Sequence, residues 1–150
     1  MIHIKTRRGS LAVLAVVVGV VAFGAAQAFA SNAPTVVTYK KTCVVATGHC
    51  HGDTGDGGTI DMQVTGFAPT GKAAQLTLTE RITFPSGACF EAEMSGIVSP
   101  AGFIVLNGTV TDSSDGSFTG AQVHQRSNLV GGDGITTKWT GELRLMPASA

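Results

Sequence analysis

The clearest alternation in the chain runs over residues 74–84, where every second position is Ala74, Leu76, Leu78, Glu80, Ile82 and Phe84. Gln75, Thr77, Thr79, Arg81 and Thr83 fill the positions between. Successive side chains of a strand point to opposite faces, so this period of two predicts a strand with one dry and one wet side. Pro85-Ser86-Gly87 turns the chain, and Phe90, Ala92 and Met94 then resume an apolar face opposite Glu91, Glu93 and Ser95. A two-stranded ribbon with one apolar face does not stand alone in water. The remaining segments must supply strands that cover it.

Residues 35–46 place Val37, Tyr39, Cys43 and Val45 on one face, with Lys41 interrupting it. Residues 47–58 lose the alternation and read as a polar, glycine-rich loop. Ile60, Met62 and Val64 alternate again over residues 59–67. Phe103, Ile104, Val105 and Leu106 are apolar on both parities, which predicts a strand covered on both sides or a bulge at Asn107-Gly108. Asp112-Ser113-Ser114-Asp115-Gly116 is a hairpin signal, and residues 117–130 follow as a longer, more polar strand. Residues 136–146 put Thr137, Trp139, Gly141, Leu143 and Leu145 on one face. No segment after residue 30 shows a helical period. About seven strands joined by short turns predict an all-β domain, a single small antiparallel barrel or sandwich.

The N-terminus departs from this pattern. Lys5, Arg7 and Arg8 precede an uncharged apolar run over residues 11–26, and Ala28-Phe29-Ala30 follows with small residues where a signal peptidase reads. Residues 1–30 therefore read as a secretory signal peptide and residues 31–150 as the β domain, secreted and extracellular, its mature form not embedded in a membrane. An anchor retained in the membrane is the competing reading, although the run is shorter than the roughly 20 residues a spanning helix needs. The formal charge of zero changes with that split. Without Lys5, Arg7 and Arg8, seven cations face ten anions, a net of about −3. The remaining cations are scattered, which argues against nucleic acid as a partner.

Three cysteines in an exported chain predict one disulfide and one leftover thiol. Cys43 lies on the apolar parity of its strand, Cys89 lies on the polar parity beside Glu91 and Glu93, and Cys50 sits in the loop. The predicted bond is Cys43–Cys50, leaving Cys89 free or bonded to a partner chain. His49, Cys50 and His51 are donors suited to zinc or copper, but adjacent donors chelate one ion poorly and no spaced second pair exists. No metal and no cofactor is expected. Trp139 and Phe103 read as core anchors.

Glu80 interrupts an apolar face, so it is either solvated at a strand end or bulge, or paired in a wet pocket. His124 and Arg126 share a parity on their strand, and on an inward face they would join Glu80 as a ligand-binding cluster. No nucleophilic or paired-carboxylate constellation emerges, so no enzyme is expected.

Residues 108–121, Gly-Thr-Val-Thr-Asp-Ser-Ser-Asp-Gly-Ser-Phe-Thr-Gly-Ala, resemble the G-x-V-T-G-G-x-G-x-F-x-G-A hairpin of dirigent and allene-oxide-cyclase-like barrels. The chain departs from that pattern at Asp112-Ser113, where the family has Gly-Gly. The resemblance implies an antiparallel barrel with an apolar lumen, and it carries no catalytic residue onto this sequence.

The leading functional expectation is a non-enzymatic domain that binds another extracellular protein, as a small subunit or adaptor of a secreted assembly, its Thr-rich strand edges pairing with the partner. The alternatives are a small-ligand barrel using Glu80, His124 and Arg126, and a metal-binding protein built on the His49-Cys50-His51 loop.

Overall fold

A computed structural model describes residues 33–148, and the expected signal peptide lies outside them. Eight strands follow one another: β1 (Thr35–Val44), β2 (His49–Thr54), β3 (Thr59–Thr70), β4 (Ala73–Thr83), β5 (Cys89–Val98), β6 (Phe103–Ser113), β7 (Gln122–Gly132) and β8 (Thr136–Met146). Each pairs antiparallel with its neighbours in sequence, and β8 returns to β1, so the sheet closes into an up-and-down barrel. The fold is all-β, and of the two architectures expected it is the barrel. Closure gives every strand two partners and leaves no unpaired edge.

The eighth strand is β2, within the stretch read as a loop. His49-Cys50-His51-Gly52-Asp53-Thr54 has almost no apolar content, yet it alternates: Cys50 and Thr54 are buried, while His49, His51 and Asp53 are exposed. Its inward positions are held by a disulfide, by a glycine and by a threonine. Gly52 faces Lys41 across the ladder, and a Cβ there would lie 2.0 Å from the Lys40 carbonyl oxygen, so the two strands approach too closely for a side chain.

The parity read for the central ribbon holds. Leu76, Leu78, Glu80 and Ile82 of β4, with Phe90, Ala92 and Met94 of β5, all point into the lumen. In β6, Ile104, Leu106 and Val110 face inward, and the register slips at Thr111, not at Asn107-Gly108. Further slips fall at Thr65 and Val130. Residues 117–121 form a turn, and β7 begins only at Gln122.

The two ends of the barrel differ. At the end where β4 stops and β5 starts, Phe84, Phe90 and Phe118 stack with ring centroids 5.6–6.0 Å apart. Phe118, from the β6–β7 connection, folds back over the lumen and closes that end. The opposite end carries the β1–β2, β3–β4, β5–β6 and β7–β8 turns. Val44, Val45, Phe67, Ile97, Phe103, Leu129, Val130 and Ile135 cluster there with exposed side chains.

Candidate functional site

Eight strands enclose an interior just wide enough for side chains to fill, or for one small ligand. Here both occur in sequence along the axis. Below the exposed rim lies a cavity of about 330 Å³ lined chiefly by Cys43, Cys50, Met62, Leu76, Ile104 and Trp139. The Cys43–Cys50 disulfide forms part of this wall, between residues directly opposite each other on β1 and β2. Trp139, half-buried at the mouth, donates its indole N–H to the Thr137 hydroxyl at 2.8 Å and leaves its ring to the cavity.

The floor of this cup is polar. Lys41 of β1 points inward, and its Nζ lies 3.5 Å from Oε2 of Glu80 on β4. Neither side chain is more than 2% exposed. The ammonium also lies 3.1 Å from the Met62 sulfur and 4.8 Å from the centre of the Tyr39 ring. Gln125 of β7 donates to Glu80 Oε2 at 2.9 Å. The Tyr39 hydroxyl bonds the Ser127 hydroxyl, also from β7. Gly141, opposite Tyr39 on β8, makes room for that ring, since a Cβ there would lie 2.6 Å from the phenol oxygen. Burial lowers the proton affinity of Lys41, against the attraction of Glu80. Burial, reinforced by the Glu80 charge, raises the Tyr39 pKa, so the phenol stays protonated.

Two acceptors on this floor remain open. Glu80 Oε1 and Gln125 Oε1 are buried and meet no hydrogen-bond donor among the described residues. A buried carboxylate oxygen without a donor is costly; of this polar layer, Lys41 is the member that lines the cavity.

The sequence-predicted cluster is only partly assembled. Glu80 is inward and buried, but His124 and Arg126 lie on the outer wall. His124 Nδ1 pairs with Asn107 Oδ1 at 2.6 Å, and Arg126 donates to His124 Nε2 at 3.2 Å. The expected inward face of that strand was the wrong parity: Val123, Gln125 and Ser127 point in. The partners of Glu80 are therefore Lys41 and Gln125. The signal for Lys41 was present, because it and Glu80 are opposite charges that each interrupt an apolar row in one small barrel.

The other candidates separate. His49 and His51 point outward and Cys50 inward, so the three donors do not converge. His51 instead meets Asp61 at 2.7 Å, and no cluster of metal-ligating side chains occurs among the described residues. Cys89 is a free thiol on the outer wall, 3.2 Å from the Arg81 guanidinium. Trp139 is partly buried against the core while also lining the mouth, whereas Phe103 stands exposed on the rim and is not a core anchor.

No protein-family model, curated protein or solved structure matches this chain. The site has to be read from its own chemistry.

Proposed function

We propose that this protein is an exported binding barrel that takes a small apolar molecule, one end carrying a polar group such as a hydroxyl, into the cup beside Lys41. The observation that carries this reading is the apolar wall of a cavity whose one charged lining side chain is Lys41, itself paired with the buried Glu80. An apolar enclosure with a few convergent polar groups is the usual form of a small-molecule site, and its volume lies at the lower end of the range for such sites. The leader-like N-terminus and the disulfide, which persists in oxidising compartments, support an extracellular setting.

The chain has a single tryptophan, and it stands at the mouth. Octanol, apolar with one hydroxyl, should therefore change Trp139 emission saturably. Val64→Phe, which fills the cup, should abolish the change. If octanol gives no saturable signal and native mass spectrometry finds no bound alcohol, the reading is lost.

A second reading rests on the rim. Phe67, Val130 and Ile135 are each more than 60% exposed at one end of the barrel, and concentrated apolar exposure marks an interaction surface. We infer that an extracellular protein partner docks there by its side chains, since a closed sheet has no edge to offer. Paired Phe67→Ser and Ile135→Ser changes should then release a partner chain that co-purifies with the wild type. A protein that leaves culture fluid as a bare monomer speaks against this reading.

A further inference from the structure

Lysine and glutamate pairs on protein surfaces hold their charges through water, but Lys41 has no water-facing route of that kind. Its amine ends at the floor of an apolar cup, between a carboxylate, a thioether and an aromatic ring. The separation from Glu80, 3.5 Å, is long for a charge-assisted hydrogen bond, which ordinarily closes to about 2.8 Å. The arrangement places a desolvated amine beside an acid–base group, with cavity on the other side. These are the conditions under which lysine serves as a nucleophile toward carbonyl carbon.

We propose that Lys41 captures an apolar aldehyde or ketone in the cup as an imine, an inference that rests on the cup being a ligand site. The Nζ lone pair attacks the carbonyl carbon, forming the C–N bond, and the carbonyl oxygen takes up a proton to give a carbinolamine. The C–O bond then breaks and the oxygen leaves as water, carrying both protons that began on the amine. Glu80 Oε2, next to Nζ, ferries them. No oxidant or reductant is needed. Burial weakens proton binding by Lys41, against the attraction of Glu80. Lys40, Lys72 and Lys138 are exposed and lack this setting.

The test incubates the purified protein, disulfide intact, with octanal and cyanoborohydride, followed by intact mass measurement and peptide mapping. Octanol binding is followed in parallel through Trp139. The expected result is an octyl adduct on Lys41, apart from any on the chain's α-amine. Lys138 is exposed and stands outside the cup, so labelling at Lys41 should exceed that at Lys138. Lys41→Arg should lose the adduct. Should that variant misfold, saturating octanol on the wild type serves instead: it should suppress labelling of Lys41 and leave Lys138 unchanged. Octanol binding without any preference for Lys41 overturns the imine and leaves the cup standing. If neither octanol binds nor octanal adds at Lys41, the cup and the imine fall together.

Discussion

Tyr39 is the only tyrosine in the chain, and its phenol is buried against Ser127 with the Glu80 charge nearby. Its folded pKa lies above the unfolded value of about 10. The stabilisation is therefore complete below pH 10 and lost as pH rises through the folded pKa, because the unfolded chain releases that proton first. Tyrosinate absorbance should appear together with the loss of β-sheet circular dichroism, and Tyr39→Phe should remove that alkaline transition. Lys41 works in the opposite sense: its lowered pKa costs stability as pH falls below the unfolded value, when the unfolded chain gains a proton that the folded one does not. Glu80 can be tested through its partner. Removing one member of a buried pair strands the other, so Glu80→Gln should cost about 3 kcal/mol in denaturant unfolding. Exposed Glu91→Gln, which loses only a surface contact with Arg81, should cost under ~1 kcal/mol. Replacing both, as Lys41→Met with Glu80→Leu, should recover most of the loss. A double variant as unstable as Glu80→Gln would mean that the pair is not the source of the effect.

At the scale of single elements, β2 shows why period and composition have to be read separately. Its six residues alternate correctly but bury sulfur, glycine and a hydroxyl in place of aliphatic side chains. A search for apolar rows passes over it. Parity alone ruled out Cys43–Cys89 but left Cys50 able to reach either partner; the observed bond is the expected Cys43–Cys50. That bond closes a short loop, with a sequence separation of seven. Cys43→Ala with Cys50→Ala should lower stability by about 2 kcal/mol in the chain-entropy account. It should also weaken octanol binding, because both sulfurs line the cup. Unchanged stability would mean that the β1–β2 ladder holds itself. For β7 the error lay in where the strand begins. Residues 117–121 turn, so counting parity from Phe118 leads to the wrong face, whereas counting from Val123 leads to Gln125 and Ser127.

The whole molecule is a tube with unlike ends. Phe84, Phe90 and Phe118 plug one end, and exposed apolar side chains ring the other. Phe118 comes from a connection yet is fully buried, so Phe118→Ala should cost about 3–5 kcal/mol. Provided the variant remains folded, octanol should still bind, because the plug and the cup are separated by the Lys41–Glu80 layer. Tighter coupling, with binding lost in a folded Phe118→Ala protein, would show that the lumen is one continuous cavity.

The sequence by itself determined the all-β class and the inward rows of β4, β5 and β8, and it set Cys43 and Cys89 on opposite faces. These follow from local rules: alternation in strands, glycine and aspartate in turns, and the parity of each cysteine. Closure was decided only in three dimensions, because whether the last strand meets the first depends on stagger and twist summed around eight strands. So was the site. Lys41 and Glu80 are each misplaced charges on their own strands, 39 positions apart. They become a pair only when the curvature of the barrel brings β1 and β4 to face each other across the lumen.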